Sequence, residues 1–534
     1  MTATDADFAQ SPEDIKLSLV EKLKPLVCEL VDVSLPQTSQ RDLERSFVKK
    51  MFGFMCLVFA LMMSVRAYRA AQKDIQARGL DPSQVSWRLE KTCWRRLNTT
   101  FGRIAYPVWT YREINTSTPK TRTPAATLDP LHAVCRSSLL LLERETRLGS
   151  DHPFRVSQLL LRFYTQDAVN VEDTTIAAHT YAVGRMVKRH YLYRTREETR
   201  EVLRDRATID RETGQPILHA SIDAHVLRRF VDDTAQAEWK NANGLRFWCV
   251  DRRSGELIHI GGEYTWGDCE QVERIVKEVI SSGIVPADGN YGDGVVARIV
   301  WVTDGAPWFE TRVFPLFPHA VLILDPFHAI DHIAKFAMSV WGQGTDAARA
   351  FIKRAREAVL GAPDAPRTKC SKRKRAGQGS RLSKAQRRIE QANRTRAATK
   401  DARPILALLG HLKIPDGCKE ALKGLVGYIT RNAYRMDYAR YIKAGFQIGS
   451  GAMESLHRVA SQIRLKRAGP GWLPETAQAI FNLRMMVLAG RWEAFWSQPG
   501  LAVDLVESFR ENSPKNKSNQ GSDHIGDVNG EVDE

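Results

Sequence analysis

The sequence predicts a multidomain α/β protein, and three observations lead there. Two apolar runs of strand character, Arg298–Thr303 and Ala320–Leu324, end directly on the acids Asp304 and Asp325, with a short amphipathic segment, Trp308–Phe317, between them. Strand, acid, helix, strand, acid is how an α/β fold presents charge at the carboxyl ends of its strands. Near residue 215 the hydrophobic spacing changes from helical to strand-like. The 534 residues, 43% of them hydrophobic, supply several cores, or three to four domains at roughly 150 residues each.

The formal charge is +16, from 78 Lys and Arg against 62 Asp and Glu. An enzyme of small metabolites rarely needs that balance, whereas a phosphate-backbone partner does. Eight cysteines occur with no CxxC pair, which indicates neither a zinc ribbon nor a disulfide framework and fits a reducing cytoplasm. The start, MTATDADFAQSPED, is acidic and polar, unlike a secretion signal. The most apolar run, Met51–Ser64, is shorter than the ~20 residues a bilayer span needs. It reads as a buried helix, and no membrane partner is expected.

Residues 1–150 read as a mainly helical N-terminal domain. Ser11–Val31 and Leu43–Ala71 carry apolar residues at helical spacing, Arg95–Asp129 is rich in Thr and Pro and reads as irregular, and Arg136–Arg147 is a short helix. Residues 151–210 hold two more helices, Val156–Tyr164 and Ile176–Leu192, separated by a turn near Asn170–Asp173. This suits a helix-turn-helix whose second helix offers Arg185, Lys188 and Arg189 to DNA. Residues 215–334 give strand Ile217–Ile222 leading into Asp223, a hairpin Leu245–Val250 and Glu256–Gly261 around a DRRSG turn, helix Cys269–Ser282, and the two acid-terminated strands. Residues 335–440 interrupt that pattern with basic helices. Arg367–Arg403 holds 14 Lys or Arg, including Lys372, Arg373, Lys374 and Arg375, against Glu390 and Asp401. Its sign suits a DNA-contacting surface. The α/β pattern resumes over 441–496. There Gly449–Ala468 is a helix entered through a Gly-Ser-Gly turn, with Ser450 as its N-cap and Met453, Leu456, Val459, Ala460 and Ile463 as its buried stripe. A last helix follows from Pro474. From Glu511 the chain is polar and acidic and reads as a disordered tail.

Three acids stand out: Asp223 after the first strand of the α/β unit, Asp304 after the fourth, and Glu454 in the first turn of the helix beyond the basic insertion. If the first and fourth strands lie side by side, Asp223 and Asp304 meet at their carboxyl ends, and a helix across that edge brings in Glu454. Clustered carboxylates repel, so such a site needs cations. Two Mg²⁺ or Mn²⁺ ions held by oxygens suit in-line phosphoryl displacement. Asp251 competes for the first position, but its DRRSG setting reads as a hairpin tip. Arg458, Arg464, Lys466 and Arg467 suit phosphate contacts, and Trp308 and Trp472 suit stacking on an unpaired base.

The blocks VTDGAPW, FPHAVLILDPFHAIDH and GSGAMES…RLKRAGPGW resemble a DDE transposase of a bacterial insertion sequence over roughly residues 215–496. The resemblance implies an RNase H-like mixed-sheet core with an all-α insertion before the last acid. It implies Asp223, Asp304 and Glu454 as the metal-binding triad, and a role for Asp325 and His328 in positioning the scissile phosphate, with His332 extending the site. It further implies binding of transposon ends and target DNA, cleavage and strand transfer, a homodimer or higher oligomer on DNA, and a place in the bacterial nucleoid. A metal-dependent nuclease on the same core, or a DNA-binding protein without catalysis, are the alternatives.

Overall fold

A computed structural model describes residues 39–77, 87–113, 121–124, 130–231, 236–360, 401–467 and 471–511, with a few positions between 17 and 28. Most of the first expected helix, most of the basic run with Lys372–Arg375, and the tail beyond Glu511 lie outside the described residues. The chain divides into two compact units, 1–186 with 493–534, and 187–492.

In the first unit, the helix expected over Leu43–Ala71 runs from Gln40 to Ala77. It packs through Met63 and Ala67 on Leu97, Ile104, Tyr106 and Val108. The stretch from Arg95 to Glu113, expected to be irregular, is instead a pair of strands. Trp87–Thr99 and Gly102–Glu113 pair antiparallel. The alternation of Ile104, Tyr106 and Val108 was the strand signal, broken to the eye by Pro107 and the threonines. Gly102 closes the turn at φ +134°, where a Cβ would lie 2.9 Å from Cys56 Sγ. The buried-helix reading of Met51–Ser64 also changes. The helix containing it is long and apolar enough to cross a membrane by length and composition, and only 11% of its most apolar window is buried.

Helices Leu139–Asp151, Phe154–Tyr164, Asp173–Met186 and Leu501–Glu511 complete this unit. A buried ion pair joins two of them: Glu145 and the His179 ring, which also meets Cys135 Sγ at 3.4 Å. Ser137 Oγ donates to the same carboxylate at 2.8 Å.

The second unit is built on a mixed five-stranded sheet. Its strands are β1 (Ile217–Phe230), β2 (Ala237–Val250), β3 (Leu257–Thr265), β4 (Arg298–Thr303) and β5 (Val321–Leu324). Their order is β5-β4-β1-β2-β3. β1, β2 and β3 pair antiparallel, and β4 and β5 run parallel to β1. Parallel neighbours need crossovers, which α1 (Cys269–Ser281) and α2 (Pro307–Arg312) provide. Beyond β5 come α3 (Pro326–Trp341), helices Asp346–Leu360 and Arg403–Gly410, α4 (Lys419–Asn432) and Tyr438–Ala444. The expected interruption is therefore helical over the described residues. Its apolar faces share one core with the sheet: Phe336, Phe351, Ile405 and Ile429 pack with Val300, Val302 and Ile323. The chain then returns through α5 (Gly451–Leu456) and α6 (Pro474–Leu488).

The His179 pair gives the first prediction. Burial pushes the imidazole down, but its contacts with Cys135 and Glu145 outweigh this and lift it to about 10. A folded pKa above the unfolded one gives stability that is full below about pH 6.5 and is lost as pH rises toward 10. The gap in thermal midpoint between wild type and His179→Gln should narrow across that window. A gap independent of pH would contradict it.

Candidate active site

The acids occupy one end of the sheet. β1 and β4 pair in parallel through Ala220↔Trp301. Carried three residues further on both strands, that register sets Asp223 level with Asp304. On the other side of β4 the last pair is Leu324↔Thr303, so Asp325 is the next neighbour of Asp304, and its N–H donates to Thr303 O at 2.8 Å. Asp223 does not end its strand as expected. β1 continues to Phe230, paired with β2; what ends near Asp223 is the pairing with β4, which leaves that edge of β1 open.

Asp325 is not free to hold a phosphate. It is buried, and its two oxygens accept Phe327 N at 2.7 Å and Ser450 N at 2.8 Å. It thus caps α3 and ties down the turn that enters α5. Further bonds fasten the same segment. Gln447 N donates to His219 Nε2 at 3.0 Å, and Trp248 Nε1 donates to Gln447 Oε1 at 2.7 Å. His219 can accept there because burial pushes it down to about 3. Arg246 donates to Ala452 O. Met453 lies over Gly244, the partner of Asp223 across β1 and β2, where a Cβ would stand 2.5 Å from Met453 Cε. Ser450 acts through its backbone N–H, not as the side-chain cap expected.

α5 therefore crosses β1 and β2 at the level of Asp223. Glu454 is exposed on it, and His457, three residues on, brings Nε2 to 3.5 Å from Asp223 Oδ2. The helix continues as a π segment, His457–Gln462. Its wide turn buries residues at spacings of four: Met453, His457, Ser461, Leu465 and, one position earlier, Leu456, Ala460, Arg464. The α-helical stripe expected from the sequence fails here for that reason: Ile463 turns outward and Arg464 inward.

Around Asp304 the α4 helix supplies what the sequence did not announce. Tyr428 donates its hydroxyl to Asp304 O at 3.0 Å and stacks on His332, ring centroids 4.3 Å apart. Burial and the nearby Lys335 lower His332. Asp304 Oδ1 accepts Ala306 N at 3.0 Å, and the residue is exposed. His328 is half-buried in the first turn of α3.

Other expected contacts are engaged elsewhere. Arg189 lies beyond its helix, which ends at Met186, and pairs with Glu263 at 2.6 Å and with Glu278. Arg464 is buried with its guanidinium 4.9 Å from the centre of the Trp472 ring. That ring also donates to Leu465 O at 3.0 Å, so Trp472 is occupied, and Trp308 is half-buried edge-on to Phe309. Arg185, Lys188, Arg458, Lys466 and Arg467 are exposed. Asp251 is a buried hairpin tip. Burial pushes its carboxyl up, but the N–H groups of Arg253 and Ser254 and the Arg206 guanidinium outweigh this and hold it low. Seven residues from the Gly244 row, about 23 Å at strand rise, it belongs to the far end of the sheet.

The donors at the site are carboxylate oxygens, the type a hard divalent cation takes. Among the described residues, no three His, Cys, Asp or Glu side chains are drawn close enough to hold a metal ion. The structure thus aligns Asp223 with Asp304 and lays the Glu454 helix against Asp223, with the trio not closed.

No protein-family model and no curated protein matches this chain. Among solved structures it is similar to a Drosophila P element transposase strand transfer complex, at 12% identity over 71% of this chain and 88% of that one, with a TM-score of 0.23. At that score the two backbones do not superpose as one fold, and the site stands on its own geometry.

Removing the Asp325 carboxylate leaves two backbone N–H groups without their charged acceptor. Asp325→Ala should cost about 2–4 kcal/mol, read from urea unfolding. A loss under about 0.5 kcal/mol would show that the tether holds nothing.

Proposed function

We propose that this chain is a DNA transposase that cleaves element ends and joins them to target DNA at a site formed by Asp223, Asp304 and Glu454. The observation that carries the reading is the continued β1–β4 register, with the Glu454 helix fixed across the same sheet end. The strand order, three antiparallel strands flanked by two parallel to the first, is what an RNase H-like core requires. The insertion, helical over its described residues, falls between β5 and the last acid, as the sequence blocks around Asp304 and Glu454 imply. The net charge of +16 supplies the attraction to a phosphate backbone.

Asp223, Asp304 and Glu454 are the residues we assign to hold two Mg²⁺ or Mn²⁺ ions. Bound there, the ions would activate the attacking oxygen and stabilise the leaving one. The chain's own groups do the rest. Tyr428 holds the Asp304 carbonyl, and the Ala306 N–H holds one oxygen of its carboxylate. Asp325 fixes the entry of the Glu454 helix. Lys466 and Arg467, exposed beyond the π segment, are placed to contact phosphates. Glu454 stands exposed and closes on the site when cations and DNA are present. Water attacks first and frees a 3′-hydroxyl, which then attacks the target strand; each step exchanges one phosphodiester oxygen for another and needs no ATP. A dimer on paired ends belongs to the same reading.

The test supplies element-end DNA and target plasmid with Mn²⁺. Wild type should cleave and join. Asp304→Asn should lower both by more than ~100-fold, several kcal/mol of lost stabilisation, and keep DNA affinity. Cleavage without joining would mark a nuclease, and binding without cleavage would overturn the enzymatic reading.

A further inference from the structure

The strongest group left unused is a buried chain of side chains behind Asp223. His457 is 4% exposed, and its Nδ1 lies 3.0 Å from the Tyr264 hydroxyl. Tyr264 is buried, and its ring stacks on Phe481 at 4.5 Å with the planes 11° apart. Burial holds the phenol well above its ordinary pKa, so it keeps a proton to donate, and the direction of the bond follows the tautomer of His457. With Nδ1 accepting from Tyr264, the imidazole proton sits on Nε2. That nitrogen is buried without a hydrogen-bond partner, and Asp223 Oδ2 lies 3.5 Å from it. The other Asp223 oxygen accepts Ala224 N at 2.8 Å. The opposite flank of His457 is closed by His225, ring centroids 4.3 Å apart, itself held by Ser461 Oγ at 2.6 Å. A buried, unpartnered ring nitrogen 3.5 Å from a half-exposed carboxylate is unexplained by packing alone.

We propose that Tyr264 and His457 are positioning residues: Tyr264 sets the tautomer of His457, whose Nε2–H orients the Asp223 carboxylate toward a divalent cation. The proposal rests on the reading of Asp223 as a metal ligand. It follows the general rule that ligating groups are aimed by the hydrogen bonds behind them. The pair comes from different parts of the chain. His457 follows Glu454 by three residues, on the buried side of the helix that exposes Glu454, and Tyr264 reaches it from β3, so one helix both presents an acid and orients another.

The experiment titrates Mn²⁺ into the full-length chain and reads free Mn²⁺ by electron paramagnetic resonance, for wild type, Asp223→Asn, Tyr264→Phe, His457→Leu and His457→Gln. Tyr264→Phe and His457→Leu should weaken Mn²⁺ binding by about 10–100-fold. Gln, which keeps an N–H donor, should restore it to within about threefold. A purely structural histidine would show no difference between Leu and Gln in metal affinity at equal thermal midpoints. If Asp223→Asn abolishes binding while Tyr264→Phe and His457→Leu stay within about twofold of wild type, the positioning role is overturned and the metal reading survives. If wild type binds no Mn²⁺, both fall. Should His457→Leu fail to fold, Tyr264→Phe, which removes one hydroxyl, decides alone.

Discussion

One buried carboxylate organises this molecule's candidate site. Asp325 leaves the end of β5 and accepts N–H groups from two helices separated by more than a hundred residues of insertion, at Phe327 and at Ser450. A buried charge is costly unless its lone pairs are filled, and here backbone donors fill them. The consequence is geometric. Wherever the helical insertion wanders in sequence, the chain must return to the same sheet end before α5 begins.

The rest of the site follows from strand pairing. Parallel neighbours with one register carry equivalent positions at equal heights, so acids that follow the pairings of β1, β4 and β5 come to one end of the sheet without any special loop. Two of them, Asp223 and Asp304, stay accessible, and the third is consumed as the tether. Gly244 clears the floor for Met453, which lets α5 lie flat over β1 and β2. The exposed cations Lys466 and Arg467 follow immediately, where the π segment has changed which side chains face out.

Much of this was legible in the sequence, for identifiable reasons. The acids at Asp304 and Asp325 follow strands that are mostly apolar and buried, and the parallel-strand signal is strong when both faces are buried. The insertion announced itself by charge. Asp251 lies at a hairpin tip, as DRRSG, with the chemistry of a turn, suggested. Other features were hidden. Asp223 lies within a strand, because an antiparallel partner on one side outlasts a parallel one on the other, and a single sequence does not show which neighbour stops first. Asp325 and Arg189 looked available because charge in a sequence carries no record of its partners. The π segment shifted the buried stripe by one residue, so Arg464 and Ile463 exchanged their expected places. His457 could have been found by its spacing, four residues after the buried Met453 on the same stripe. Tyr264 and Tyr428 could not, because only the fold brings them there.

The central claim is that carboxylates aligned by strand register, and one delivered by a tethered helix, converge on cations beside a DNA strand. The most direct measurement is a crystal structure of the chain with a cleaved element end and Mn²⁺, the ions located by anomalous scattering. The account predicts two anomalous peaks between Asp223 and Asp304, with Glu454 turned inward as a ligand. Peaks elsewhere, or Glu454 still facing solvent with DNA bound, would contradict it.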